Sequence, residues 1–220
     1  MKNTREEHRD SRKVAERKWQ ENSILTAALD IFAAHGYEGA SMQEVAEISG
    51  FSVGHIYNVI GKKEHLFDEV LYRGGSALES DLLQRVHRLA NRPAVERLDG
   101  LFDEILVFFD EHPKLFHLFL NEANGDLDIL DPPFSRRVVE IKRRIHDCVR
   151  SLFEEAQQGQ TVASLDPSEM TVAALQIIKG FLSLWAQDDY RTPAHGKTEI
   201  IRQIIWHGLS REPEQPSRTP

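Results

Sequence analysis

The sequence predicts an all-α fold of eight or nine helices, and three observations carry that prediction. Apolar residues recur at steps of three and four along most of the chain, the spacing of a helix buried on one side. Glycine or proline punctuates nearly every join between those periodic stretches. No run of alternating β-branched residues bounded by hairpin turns interrupts them. With 40% apolar residues, 28% charged and 9 prolines, the 220-residue chain has enough for one substantial core or two small ones, which excludes a disordered or collagen-like protein.

Charge and cysteine usage narrow the class further. A formal net charge of -8 argues against a protein that coats nucleic acid nonspecifically, since that binding comes from excess Lys and Arg neutralising phosphates. Any nucleic-acid site must therefore be local. The single cysteine, Cys148, cannot form an intramolecular disulfide, and no basic-then-apolar leader opens the chain, so a cytoplasmic protein is expected. The longest apolar stretch, Met170 to Gln187, carries Lys179 in its middle and falls short of the ~20 apolar residues that span a bilayer. It reads as a core helix, and no membrane partner is expected.

Taken in order, residues 1–18 read as a flexible basic arm. The first twenty residues hold Lys2, Arg5, Arg9, Arg12, Lys13, Arg17 and Lys18 against Glu6, Glu7, Asp10 and Glu16, a local excess of three positive charges. Two readings fit: a solvated terminus, or an arm that contacts DNA. From Trp19 the spacing of Ile24, Ala27, Ala28 and Ile31, with Leu25, Leu29 and Phe32, makes a first helix that ends at His35-Gly36. Ser41-Met-Gln-Glu44 is a capping-box pattern that starts a short second helix, stopped by Gly50. Ser52 caps a third, which turns Ile56 and Val59 inward before Gly61 breaks it. A long fourth helix follows to about Leu89, with Gly74-Gly75 expected to kink or loosen it. Further helices are expected near Glu96 to Asp110, Pro113 to Asn121, Pro133 to Gln158, Pro167 to Gln187 and Ala194 to Leu209, and 211–220 reads as a disordered tail.

The segment from Met42 to Gly61 has the spacing of a helix-turn-helix. Ala46 is small where two helices touch closely, Gly50 can adopt the left-handed turn conformation, and Val45, Phe51, Ile56 and Val59 supply a shared core. A turn of three or four residues suits a second helix that projects into a major groove. This gives an N-terminal helix-turn-helix domain over 19–66 and a C-terminal helical bundle over 67–210. At the groove, Ser52, Val53, Gly54, His55 and Asn58 are expected to meet base edges and backbone, with Tyr57 at a phosphate. Asn pairs bidentately with adenine, Val packs on a thymine methyl, and His donates to guanine or phosphate. Lys62 and Lys63, with Ser41 from the second helix, are expected to clamp the backbone. Structural readings stand beside these: His55 as a plain surface residue, Val59 as core, and Tyr57 packed on the first helix. Gly54 is read as allowing close approach to DNA, since a glycine inside a helix costs ~1 kcal/mol relative to alanine.

From about Ile24 to Leu71 the chain resembles the N-terminal DNA-binding domain of the TetR family of one-component transcriptional regulators. The matching residues are Ala28, Phe32, Gly36-Tyr37, Ser41, Val45-Ala46, Gly50, Ser52, Gly54, Ile56-Tyr57, Lys63-Glu64 and Leu66. Departures occur at Val53, where the family often has Lys or another polar residue, at Ile60, where it usually has Phe, and at Asn58-Val59. They bear on the operator sequence rather than the fold. The resemblance implies a ligand-responsive homodimer on a palindromic double-stranded DNA operator, here read as a repressor released by a small-molecule effector.

The C-terminal part is less specific. Five of the 11 phenylalanines, Phe102, Phe108, Phe109, Phe116 and Phe119, lie within 101–120, as simple core or as the lining of a pocket for a hydrophobic or aromatic effector. The candidate effector residues are Phe109, Phe116, His117, His146 and Gln176. The last two helices carry broad apolar faces, and a two-fold four-helix interface would bury both. Val172, Leu175, Leu182, Ile201 and Ile205 are its candidates, with a purely monomeric core as the alternative. No catalytic residue, metal site or cofactor is expected: the chain has no His-Glu-x-x-His, no Gly-rich phosphate loop and no Gly-x-Ser-x-Gly elbow. The rival readings are an enzyme with a site assembled from scattered residues and a helix-turn-helix used only for protein contacts.

Overall fold

Helices account for every regular element among the described residues, 2–122 and 136–209, of the computed structural model. They are α1 (Lys2–Gly39), α2 (Met42–Ser49), α3 (Val53–Val59), α4 (Lys63–Arg88), α5 (Ala94–Glu111), α6 (Pro113–Glu122), α7 (Arg136–Gln158), α8 (Pro167–Gln187) and α9 (Thr198–Leu209), with one 3₁₀ turn at Ala194–Lys197. The expected tail and the Pro133 start of the seventh helix lie outside the described residues. No helix among those described is long and apolar enough to cross a membrane.

The chain divides into two compact units, one of residues 1–74 and 114–139, the other of 75–113 and 140–220. In the first unit, Ile24, Ala28 and Phe32 of α1, Val45 and Ala46 of α2, Ile56 of α3 and Leu66, Phe67 and Leu71 of α4 form one buried cluster, joined by Leu118 and Val138. Phe67 sits at its centre, edge-on to Phe32 with centroids 5.0 Å apart and 4.9 Å from Tyr37. Polar anchors surround it. The Arg137 guanidinium donates to Asp68 and Glu69, both at 2.7 Å, and lies over the Tyr72 ring.

Two features of this unit differ from expectation. The first eighteen residues are not an irregular arm, because α1 begins at Lys2 and stays helical to Gly36, whose φ of 69° ends the regular run before one more turn. In α4, Gly74 and Gly75 do not kink the helix. A Cβ at Gly74 would lie 2.5 Å from Leu115 Cδ1, so the glycine serves close packing of α6 on α4 rather than bending.

The second unit packs α5, α8 and α9 with parts of α4 and α7 around Leu98, Leu101, Phe102, Leu106, Phe153, Ala174, Ile178, Leu182 and Ile201. Its polar groups are tied to backbone ends. Asp110 accepts from the amides of Ala194 and His195, capping the 3₁₀ turn, and from His195 Nδ1. The indole of Trp206 donates to Asp99 at 2.6 Å, and that of Trp185 to the Thr192 carbonyl at 2.6 Å. Asp166 caps α8 by accepting from the amides of Ser168 and Glu169, and these bonds lower its pKa.

Candidate DNA-binding surface

Short-range bonds set the geometry of the α2–α3 corner. The Ser41 amide and hydroxyl both donate to Glu44 Oε2, at 2.9 and 2.6 Å, and the Glu44 amide donates back to the Ser41 oxygen at 3.2 Å. The capping box is complete, and it holds the Glu44 carboxyl below the usual glutamate range, chiefly through the Ser41 side-chain bond. Gly50, at φ 75° and ψ 12°, then ends α2 with its amide on the Ala46 carbonyl. A side chain at that φ is strained, so glycine is required. Phe51 and Ser52 complete a three-residue turn, and the Ser52 hydroxyl accepts from the His55 amide at 3.2 Å to start α3. Gly61, at φ 114°, closes the far end.

Of the seven residues of α3, only Ile56 is buried. Ser52, Gly54, Tyr57 and Asn58 are exposed, Tyr57 by 47%, and so is Lys62. A Cβ built on Gly54 meets nothing within 4 Å. Packing inside the protein therefore gives no reason for a glycine there, and the helix cost it carries is left without an internal explanation. Val53 and Val59 are half-buried against the core.

Three residues expected at the DNA also carry intramolecular contacts. The Lys63 ammonium donates to the carbonyls of Ala40, at 3.0 Å, and Glu38, at 3.3 Å, and sits 4.6 Å from the Tyr37 ring centroid. It caps the end of α1 with two of the ammonium's three N–H donors. The Ser41 hydroxyl proton is committed to Glu44, so the capping box competes with a backbone contact. His55 stacks on Phe51, with centroids 4.9 Å apart, and its Nε2 is covered without a partner.

The two units divide the remaining candidate residues between them. Gln176 is exposed on α8, Phe109 is buried among the core residues of α5, and His146 is half-buried on α7. Phe116 and His117 belong to the first unit, so the five candidate effector residues do not converge within either unit. One cavity in the second unit is small, about 120 Å³, lined by Leu82, Leu83, Leu101, Ile145 and Cys148, with the Glu79–Arg144 ion pair in its wall. Burial pushes the Cys148 thiol up. Among the interface candidates, Leu182, Ile201 and Ile205 are almost fully buried in the chain's own core, and Leu175 is half-buried. Val172, exposed by 49%, stays outside with Leu184, Ile200 and Ile204, which had fallen on faces that periodicity could not rank.

A three-helix unit with a left-handed glycine in a three-residue turn, and a short second helix buried by one residue, defines a helix-turn-helix DNA-binding module. Residues 24–70 match the sequence model of the family described as "Bacterial regulatory proteins, tetR family". The match places a TetR-type DNA-binding domain at residues 24–70, and the relatives that align with most of the chain are named HTH-type transcriptional regulators. It is 24% identical over 192 residues to the HTH-type transcriptional activator FasR of Mycolicibacterium smegmatis, covering 86% of this chain and 83% of that protein. It is also 24% identical to the HTH-type transcriptional repressor AcnR of Corynebacterium diphtheriae, covering 83% of this chain and 85% of the relative. Among solved structures, AibR in complex with isovaleryl coenzyme A and operator DNA superposes with a TM-score of 0.72 at 22% identity, covering 84% of this chain and 97% of AibR. That likeness is one of fold.

Proposed function

We propose that the protein is a cytoplasmic, ligand-responsive repressor that binds a palindromic operator as a homodimer. The observation that carries this reading is the outer face of α3, where Gly54, Tyr57 and Asn58 are exposed and unused by the fold. Asn58 supplies a bidentate partner for adenine, Tyr57 and Lys62 supply phosphate contacts, and Gly54 lets the helix backbone approach the groove. The Ser52 hydroxyl accepts from the His55 amide, which leaves its proton for a phosphate oxygen. Repression needs nothing beyond occupancy of the operator. One relative is named an activator and another a repressor, so the sign of regulation is a target of the test.

Homodimerisation rests on the exposed apolar residues of α8 and α9, Val172, Leu184, Ile200 and Ile204, which a two-fold partner would cover. The effector is a hydrophobic molecule, and AibR's isovaleryl coenzyme A supports an acyl thioester as the first class to try. If the cavity of about 120 Å³ is its site, it holds only a fragment of such a molecule, and binding there enlarges it. The effector then favours a conformer in which two recognition helices no longer match successive major grooves, ~34 Å apart. Linkage requires that operator and effector weaken each other equally.

Selection of bound sequences from a random duplex pool, at two salt concentrations, tests the reading. Enrichment of an inverted repeat supports it, and the absence of enrichment, also after unfolding and refolding to strip ligand, sinks it. With that repeat as probe, a panel of acyl-coenzyme A thioesters tests the effector class by release from DNA. Transcription in vitro from a promoter that carries the repeat reads the sign directly.

A further inference from the structure

The helix-turn-helix core needs α1 only from Ile24 onward, yet the helix begins at Lys2. What the extra turns do is suggested by a surface groove of about 360 Å³ in the same unit. One wall is Lys13, Glu16, Arg17 and Gln20 of α1, and the other is Asn58 and Val59 at the end of α3. The extension therefore runs beside the helix read above as the DNA-contacting one.

Charge and anchoring point the same way. Lys13 and Arg17 are one turn apart, and the sequence continues that four-residue spacing upstream at Arg9 and Arg5, in a protein whose net charge is -8. The base of the extension is fixed to the core at several points. Trp19 meets Phe51 edge-on, with centroids 5.9 Å apart, and Arg73 donates to Asn22 Oδ1 at 2.5 Å and pairs with Glu21 at 3.5 Å. Arg17 gives its Nε to Glu21 at 3.1 Å. A helix held in this way loses little further freedom on binding, unlike a flexible arm that must be ordered.

We infer that the helical extension of α1 is a second DNA-contacting element, in which Lys13 and Arg17 bind backbone phosphates beside the groove entered by Asn58. The inference rests on the DNA-binding reading of α3. Phosphate contacts of this kind carry no sequence information, so they strengthen binding to operator and to random duplex alike. Glu16, on the same wall, opposes them.

The test uses the full chain with Lys13→Gln and Arg17→Gln together, measuring binding to the selected repeat and to a random duplex across a salt series. The expected result is a similar loss on both duplexes and a slope of log K against log salt shallower by ~1.8, about 0.9 for each phosphate released. The conservative pair Lys13→Arg and Arg17→Lys should keep the parent slope, and Glu16→Gln should tighten binding. Both positions are exposed, so the melting temperature is expected to stay unchanged, which excludes a folding defect. An unchanged slope overturns the inference while leaving α3 as the reader of DNA, and so does a loss confined to the selected repeat. If the parent protein binds no duplex at all, the DNA-binding reading fails and this inference with it.

Discussion

In α3 one residue, Ile56, is buried, whereas α8 buries Met170, Thr171, Ala174, Ile178, Leu182 and Trp185 and still leaves Val172 and Leu184 outside. The two helices solve different problems. A seven-residue helix is too short to be stable by propensity, so α3 exists because Ser52, Gly61 and one side chain in the core hold it, and its other faces are free to act. The longer α8 is apolar nearly all round, and the chain's own core uses only one stripe of it. Polar exposure on α3 and apolar exposure on α8 are thus both surplus to the fold. The proposed function assigns the first to a polyanion and the second to another copy of the same surface.

The sharpest way to break the comparison is to mutate neighbours on opposite faces. Ile56→Ala removes the buried anchor of α3 and is expected to cost about 2–5 kcal/mol, with DNA binding lost through unfolding. Tyr57→Ala, one residue on, should stay within about 0.5 kcal/mol of the parent and lose DNA affinity while folded. Thermal unfolding followed by circular dichroism separates them. If both variants melt alike, α3 is not a helix with one structural face.

The matching pair in α8 is Leu182 and Leu184. Leu182, exposed by 2%, lies in the protomer core, so Leu182→Ala should also cost about 2–5 kcal/mol. Leu184, exposed by 61%, has no such role, and Leu184→Glu should instead shift the protein from dimer to monomer. Light scattering after size exclusion reads this directly. Stability must be compared at several concentrations, because a dimer's apparent stability rises with protomer concentration. A Leu184→Glu variant that stays dimeric, together with Ile204→Glu, would remove this face from the proposed interface.

The same contrast explains what was legible in the sequence. The helix-turn-helix depends on features local in the chain: Ser41 with Glu44, Gly50 at positive φ, Ser52 with the His55 amide. Each can be recognised within four residues. The faces of α8 and α9 are decided by residues distant in sequence, so Leu182 and Leu184, or Ile201 and Ile200, cannot be ranked by spacing. For His55, Lys63 and Ser41 the sequence shows position alone, whereas the stacking on Phe51 and the carbonyls of Glu38 and Ala40 become visible only in three dimensions, beside the local bond of Ser41 to the Glu44 carboxylate. The helical course of residues 2–18 was obscured by mixed charge without an apolar stripe, which periodicity reads as an irregular segment.

A smaller effect is expected at the capping box. Ser41→Ala removes the hydroxyl that accepts from the Glu44 amide and donates to its carboxylate, at a cost of about 1 kcal/mol. Because folding lowers the Glu44 pKa, the contribution is full above the ordinary glutamate range and disappears as pH falls through the lowered value. The melting difference between parent and variant should therefore be larger at neutral pH than at about pH 3. A difference that grows on acidification would contradict the assignment of the shift to this bond.

The smallest expected change in stability runs in the opposite direction to all of these. Gly54 is helical and exposed, and a Cβ there meets nothing within 4 Å, so Gly54→Ala should stabilise the free protein by about 0.5 kcal/mol by restricting the unfolded chain. If the glycine is present because DNA comes close to the α3 backbone, the same methyl group should weaken operator binding. Opposite signs in melting temperature and affinity would place the reason for Gly54 in the complex rather than in the fold. A variant that gains stability and keeps its affinity would show that the duplex does not approach this turn closely, and would move the DNA-contacting face of α3 toward Tyr57 and Asn58.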